Sequence, residues 1–470
     1  VRRKGKVYVS GNTETTLSPM KYGESFRWVE TYAGFSGEAP LLEQLYIQGV
    51  KKGKRLEWGN RLDPPLEVYE NKSAQMFCLW NDTPRLPWQT HEYYCLPLPR
   101  SKDDLMALTE HGWKPAEDIT IGDKLCTRGD DGGIQYQYPT SIFRDSYNGD
   151  LVRLKHAKAD ILMTPNHRVY CDYVSHTRKM KKKLEDGFDY KYIEASEAIG
   201  KQIGWIPGHG EWSHSPLESF EVEGDTYSGN NFVALLAWYL SEGSYSVDKR
   251  NAKHYINMFG IGQSREVNPQ KCDEITKMLD RMGLSYTWSN KAVRVFNSPL
   301  ARYLSSFGLS ADKYIPRFVL EECSLSQMKN FLRIYLLADG TENKSSRLLY
   351  TISNQMALDL IELTFKCGHR PRWTGSYSAN GNAPVHHISI MDSHIGWVYN
   401  HKEGQRERRN WSVERARENT EVWCPSIPNA NFYVMQNKTC FWTGNSQEMA
   451  TLLPSEFERV HRNQWVTSTN

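Results

Sequence analysis

Hydrophobic spacing along this chain changes period several times, and each change marks a segment. From 105 to 175 short apolar runs (LMALT, DKLCT, LVRLK, ILMTP, HRVYCDYV) sit between Gly and Asp turns, which predicts a compact all-β module. From 231 to 400 longer apolar segments with helical spacing alternate with strand-like ones. Strand texture returns in EVWCPSI and NFYVM (421–435), and 446–470 has the spacing of an amphipathic helix. Before 95 the pattern is mixed: strand-like FRWVETYAGF, helix-like APLLEQLYIQGVKKG, then PRLPWQTHEYY entering a helix. Residues 176–230 are polar, with the basic run Arg178, Lys179, Lys181, Lys182 and Lys183, and the charged 401–420 is predicted to connect.

The middle segment repeats itself. FVALLAWYLSEGS (232–244) and FLRIYLLADGT (331–341) are apolar helices ending in acid, Gly and hydroxyl, and each is followed by a strand and a helix. The acids, Glu242 and Asp339, are 97 residues apart, so a unit of that size is duplicated into two pseudo-twofold halves. A carboxylate in the last turn of a helix is disfavoured by the helix dipole. Two of them emerging together are expected to be balanced by a divalent cation.

Bulk composition narrows the picture. Fifty-eight Lys and Arg against 55 Asp and Glu leave a net charge of +3, so nucleic-acid contact must come from local patches. Aromatic residues make up 12% of the chain, with 15 Trp, which predicts packed domains rather than disorder. The nine Cys are scattered without a C-x-x-C pair, which argues for a reducing compartment and against a zinc ribbon. No apolar run approaches the roughly 18 residues of a membrane span, and a cytoplasmic location is expected.

Chemistry-bearing residues stand at both ends of the β texture. The Cys95 thiol lies beside the Tyr94 carbonyl, where an N-to-S acyl shift gives a thioester. Asn445 can close its side-chain amide on its own carbonyl, and Ser446 offers a hydroxyl to take the acyl group in between. This order is the one a self-excising segment requires.

The motifs around these residues resemble inteins. LMALTEHGWKPAEDITIGDKL (105–125) resembles the first intein block, ILMTPNHRVY (161–170) the block whose Thr164 and His167 act on the first scissile amide, and EVWCPSIPNANFYV (421–434) the penultimate block. Cys424 stands where many relatives carry an acid assisting the middle steps. Gly444 and Ala430 stand where relatives often carry histidines that serve Asn cyclisation.

The repeated helix-acid-Gly, with DKYIPRFVL (312–320) before the second helix, resembles the LAGLIDADG homing endonucleases. That resemblance implies Glu242 and Asp339 as Mg²⁺ ligands, Lys313 as an electrostatic assistant, and a saddle of strands over double-stranded DNA. Lys179, Lys181, Lys182, Lys183 and Gln263 are the expected DNA contacts.

The flanks, 13–94 and 446–470, resemble the phage terminase large subunit, through RWVETYAGFSGE and MFCLWNDTPRLPWQT. They contain no phosphate-binding loop, since GVKKGKR has the wrong Gly spacing. Val1–Asn12 ends in Gly-Asn before a hydroxyl residue, as Val434–Asn445 does, and resembles the tail of a second, upstream intein.

The expected fold class is therefore multi-domain: an all-β Hint-type (horseshoe) splicing domain with an inserted α/β pseudo-twofold endonuclease, flanked by α/β host segments. The expected order is 1–12 (upstream intein tail), 13–94 (host), 95–205 (splicing, first part), 225–400 (endonuclease), 401–445 (connector and splicing, second part) and 446–470 (host). The expected activities are autocatalytic splicing without a cofactor and Mg²⁺-dependent cutting of the intein-less host gene by a pseudo-symmetric monomer. After splicing, other terminase or packaging components are the expected partners. Two alternatives stay open: a decayed intein that binds DNA without cutting, and a terminase fragment with a purely structural insertion.

Overall fold

The computed structural model describes residues 6–9, 13–16, 47–57, 67–74 and 76–80. From 95 to 444 it describes all but 175–182, 200, 202, 249–254, 345, 377–384, 392–393 and 399–409. The chain forms two compact units, Val1–His91 and Glu92–Asn470. In the first, Lys6–Val9 pairs antiparallel with Thr13–Thr16, and Lys54–Leu56, Glu67–Asn71 and Met76–Trp80 form a three-stranded antiparallel sheet. The expected strand at 26–35 and the helices at 84–94 and 446–470 fall outside the described residues. Of the expected helix at 39–53, only the short π-helical turn Ile47–Lys51 is described.

The second unit is strand-rich at both ends of its sequence. In chain order its first strands are β1 (Leu96–Pro97), β2 (Leu105–Thr109), β3 (Leu125–Arg128), β4 (Ile134–Gln137), β5 (Ser141–Tyr147), β6 (Asp150–His156), β7 (Ala159–Met163) and β8 (Arg168–Val174). All five apolar runs predicted as strands between 105 and 175 are strands. β2 is buried at every position, as befits a strand covered on both faces.

The duplicated segment follows. α1 (Gly229–Glu242) leads to β9 (Gly243–Asp248), β10 (Tyr255–Gly262), α2 (Pro269–Arg281), β11 (Tyr286–Trp288) and β12 (Ala292–Val295). α3 (Leu325–Asp339) leads to β13 (Gly340–Glu342), β14 (Arg347–Thr351), α4 (Asn354–Lys366), β15 (Arg370–Ser376) and β16 (Val385–Met391). The first half pairs its strands in the order β9-β10-β12-β11 and the second in the order β13-β14-β16-β15. One topology is used twice, as the 97-residue repeat predicts. The chain then returns to the strand-rich part with β17 (Thr420–Ser426), β18 (Asn431–Gln436) and β19 (Thr439–Gly444).

Two expectations are corrected, and one polar stretch is given its elements. The 401–420 connector contains a strand, Trp411–Arg415, paired with β6, because Trp411 is buried in the strand-rich core. The polar stretch 176–230 contains Lys191–Glu194, Ile203–Pro207, Ser219–Val222 and Asp225–Ser228 as strands. His394–Val398 pairs with Ile203–Pro207, so the duplicated segment ends at β16 rather than at 400.

The two parts of this unit are not beads on a string. A single sheet runs β4-β3-β2-β18-β19-β15-β16-β14-β13, crossing from one part into the other at Arg372 and Thr439. One apolar core holds Met106, Cys126, Tyr433 and Trp442 of the strand-rich part together with Phe365, Ile361 and Trp238 of the duplicated part. A second core, around Leu154, Ile161, Trp397 and Phe432, belongs to the strand-rich part alone. No described helix is long and apolar enough to cross a membrane.

Candidate functional site

Cys95 sits directly before β1. β1 pairs with β17 so that Leu96 faces Trp423 and Pro97 faces Val422, and continuing that register by one residue sets Cys95 opposite Cys424. The Leu98 N–H donates to the Glu421 carbonyl at 2.8 Å. Hydrogen-bonded and non-hydrogen-bonded pairs alternate along antiparallel strands, so the 95/424 pair is of the second kind, in which side chains lie closer. Cys95 and Cys424 are buried in one small cluster with Val422, against Phe143 and Tyr147. A hydrogen bond between the two thiols, followed by burial, pushes the Cys95 thiol far above the usual cysteine range.

Thr164, immediately after β7, holds the Cys95 backbone. Its hydroxyl accepts from the Cys95 N–H at 3.1 Å and donates to the Cys95 carbonyl at 3.2 Å. Its own N–H donates to the same carbonyl at 3.1 Å. The Cys95 nitrogen belongs to the peptide bond with Tyr94, so a buried hydroxyl touches the nitrogen that must leave in an acyl shift.

His167 follows in a tight turn, its N–H donating to the Thr164 carbonyl at 3.0 Å. The His167 Nε2 meets the Thr443 hydroxyl, and both side chains are buried. Thr443 lies in β19, two residues before Asn445. Cys95, Thr164, His167 and Thr443 thus form one line of contacts linking the two ends of the strand-rich part. Tyr94, Asn445 and Ser446 themselves lie outside the described residues.

Gly444 pairs with Asn431 at the end of β19. A Cβ there would come within 2.8 Å of the Arg168 Cβ and 2.9 Å of the Arg168 carbonyl oxygen. The glycine is required by this close approach of β19 to β8. Ala430 has φ 55 and closes the turn between β17 and β18 through its N–H to the Ile427 carbonyl.

The second cluster lies at the ends of α1 and α3. Gln327, three residues past the N-cap Ser324 of α3, completes a capping box there and donates to the Asn230 side chain of α1 at 3.0 Å. Asn230 and Gln327 are separated by 97 residues, as Glu242 and Asp339 are, so the helices pack in parallel and in register with both acids at one end. Gly243 and Gly340, which end the two helices, are extended, with φ −81 and −126. A Cβ at these positions would meet the carbonyl oxygens of Tyr239 at 2.3 Å and Leu336 at 2.5 Å, which explains the glycines by crowding.

Lys313 is buried between the acids and the end of α1, donating to the carbonyls of Tyr239 at 2.9 Å and Gly243 at 2.8 Å. An ammonium at this end opposes the helix dipole. Burial pulls Lys313 down to about 8, against the pull of Asp339 and Glu242. Burial and then the Glu242 charge push Asp339 up to about 6. Glu242 is also raised, by burial, although Lys271, Lys313 and Gln263 counter the rise. Asp339, Lys313 and Tyr335 line a cleft of about 250 Å³. No three His, Cys, Asp or Glu among the described residues gather closely enough to hold a metal by themselves. Two mutually repelling carboxylates beside an open cleft do suit Mg²⁺, which typically takes one or two carboxylates and completes its shell with water and phosphate oxygens.

The expected DNA contacts fare differently. Lys179, Lys181 and Lys182 lie outside the described residues, and Lys183 is paired with Asp172 at 2.6 Å. Gln263 is buried and does not face outward. It donates to the Glu242 carboxylate at 2.8 Å and accepts from the Asn268 side chain at 3.0 Å. Sequence reasoning assigned no role to Thr443 or to the apposition of Cys95 and Cys424. The strand TCFWTG, readable from its aromatic and β-branched residues, was the available signal for Thr443.

No family model matches the chain. The ATP-dependent Clp protease proteolytic subunit of Chlamydomonas moewusii is 25% identical over 299 residues, which is 59% of this chain and 28% of that protein. The DNA-directed RNA polymerase subunit beta C-terminal section of Stigeoclonium helveticum is 23% identical over 411 residues, 73% of this chain and 36% of that protein. The chain therefore spans about a third of the length of the curated relatives it matches. Among solved structures, variants of the homing endonuclease I-DmoI match 34% of this chain and 88% of their own, at 12% identity and a TM-score of 0.27. At these scores the likenesses assign no function by themselves. The chain is similar over that third of its length to a homing endonuclease and, at 10% identity and a TM-score of 0.25, over 75% of its length to the AceL NrdHF class 3 split intein, of which it covers 99%.

Proposed function

We propose that the chain is a self-splicing intein that removes residues 95–445, joins Tyr94 to Ser446, and carries a site-specific DNA endonuclease. The observation that supports it most is the line of contacts from the Cys95 amide through Thr164 and His167 to Thr443, which ties Cys95 to the strand that ends one residue before Asn445. The curated relatives add a second support. A protease subunit and a polymerase subunit have unrelated activities, yet each shares a long stretch with this chain. A segment that inserts into unrelated hosts produces that pattern.

In the first step the Cys95 sulfur bonds to the Tyr94 carbonyl carbon, and the C–N bond breaks. Thr164 steadies the departing nitrogen, which gains the proton the thiol loses. Ser446 then attacks the thioester and releases the Cys95 thiol. The Asn445 side-chain nitrogen attacks its own carbonyl, breaking the bond to Ser446 and leaving a succinimide. The ester finally rearranges to an amide. His167 and Thr443 link the pocket of the first step to the strand that carries the last.

In the endonuclease, Glu242 and Asp339 would hold Mg²⁺, which supplies an activated water and charge neutralisation for phosphodiester hydrolysis. Lys313 fixes the end of α1 and limits repulsion between the acids, and Gln263 orients Glu242. The flanks are proposed to be terminase-like on their sequence resemblance alone. Mass spectrometry of the expressed chain tests the splicing reading: a joined host fragment is expected, and its absence, with the precursor unchanged by Cys95→Ala, would refute it. Cutting of a plasmid carrying the joined Tyr94-Ser446 codons tests the nuclease, and binding without cutting would favour the decayed form.

A further inference from the structure

Cys95 and Cys424 are the two thiols of the small cluster formed by β1 and β17. Continuing the register of the two strands by one residue sets them opposite one another as a non-hydrogen-bonded pair, a kind whose Cα atoms typically lie about 4.5 Å apart. That spacing falls at the short end of the range a disulfide spans. The remaining cysteines of the strand-rich part, Cys126, Cys171 and Cys440, belong to the other two cores.

We infer that Cys95 and Cys424 form a disulfide when the chain meets a small peroxide, and that this bond is a reversible modification site at the front seam. The bond itself follows from the strand register. Its consequence, that the nucleophile of the first step is withheld, rests on the splicing reading.

The chemistry balances with hydrogen peroxide as oxidant. One thiolate sulfur attacks a peroxide oxygen, the O–O bond breaks, and a sulfenic acid and hydroxide result. The second sulfur then displaces hydroxide from the first. Overall two S–H bonds and one O–O bond are lost, one S–S bond forms, and two waters leave. The two sulfurs together give up the two electrons that the peroxide takes. Because the thiolate is the attacking species and both thiols are buried, the reaction is expected to be slow at neutral pH and faster as pH rises. The size of a peroxide suits this enclosed pair better than a bulky disulfide such as oxidised glutathione does.

The test uses the full chain carrying Asn445→Ala and Ser446→Ala, which on the splicing reading stops after the first step. The chain is treated with hydrogen peroxide, denatured, alkylated and digested. A cross-linked peptide pair joining 95 to 424 is expected, lighter than the reduced pair by about 2 Da, with both thiols protected from alkylation. Hydroxylamine, which attacks thioesters and does not reduce disulfides, should release the 1–94 fragment from untreated chain only, and a phosphine should restore the release. In Cys424→Ser the cross-link is expected to vanish. Full alkylation of both cysteines after peroxide, or Cys95 recovered as sulfinic acid or bonded elsewhere, overturns the inference. A cross-link formed in a chain that hydroxylamine never cleaves, even reduced, upholds the disulfide and sinks the splicing reading instead.

Discussion

The Thr164 hydroxyl touches Cys95 twice, at 3.1 Å from its amide nitrogen and 3.2 Å from its carbonyl oxygen. Replacing Thr164 by Val keeps the shape and the backbone hydrogen bond but leaves a buried N–H without its acceptor, a loss of about 1–3 kcal/mol. If the interaction strengthens as the nitrogen departs, the first step should slow by roughly 5- to 150-fold. Timed release of the 1–94 fragment by hydroxylamine measures this, and an unchanged rate would show that Thr164 is only packing.

Asp339 carries a pH signature. Its carboxyl must be ionised to accept a cation, so DNA cutting is expected to fall as pH drops through about 6. The stability consequence has the opposite sense. A carboxyl raised from 3.8 to about 6 keeps its proton in the native state where the unfolded chain has released it, so stability declines as pH rises across that window. Asp339→Asn should therefore abolish cutting and raise the melting temperature at pH 7 without divalent ions, and the stability gain should disappear below about pH 4. Calorimetry at several pH values checks the sign.

Glu362 is fully buried, and Arg317 and Lys366 reach it at 2.7 Å each. Burial alone would raise its carboxyl, yet Lys366 and Arg317 hold it below the usual range. Arg317 also donates to the Glu110 carbonyl at 3.1 Å, tying the duplicated part to the strand-rich part. Glu362→Gln leaves the buried Lys366 charge uncompensated and is expected to cost about 3–5 kcal/mol. Since the native carboxyl is depressed, its contribution is present above the ordinary value of 4.5 and is lost as pH falls through the native one. Urea unfolding of the variant measures the cost, and splicing yield should fall with it.

Position 444 tests the local packing. Gly444→His supplies the residue that the inteins it resembles often carry there, but its Cβ must displace β19 from Arg168. Slower splicing is expected, together with a stability loss of about 1–3 kcal/mol that Gly444→Ala should share. Faster splicing by the His variant would mean that the missing imidazole, and not the strand contact, limits the reaction.

Much of this was legible from residue patterns. The 97-residue repeat predicted the paired helices and the joint emergence of Glu242 and Asp339, because helical spacing and an acid-Gly ending are local signals. The strands of 105–175 were equally local. What the pattern could not give was long-range register: that Cys424 faces Cys95 depends on β1 pairing with a strand more than 300 residues away. The contact of Gln263 with Glu242 was not legible either, because a polar residue at a strand end gives no sign of its partner until Glu242 is placed beside it. The strand at Trp411–Arg415 was hidden by the charged sequence around a single buried Trp.

The sheet that crosses from β19 into β15, and the core beneath it, make the two parts inherit each other's fate. A lineage in which DNA cutting no longer confers an advantage can lose Glu242 or Asp339 by a single codon change at little harm to the host. It cannot discard α4 and β15 as readily, because Tyr433 and Trp442 would be stripped of their cover. On the proposed reading, descendants of such a gene should therefore keep a blunted enzyme at full length, preserved by the demand for a clean protein join.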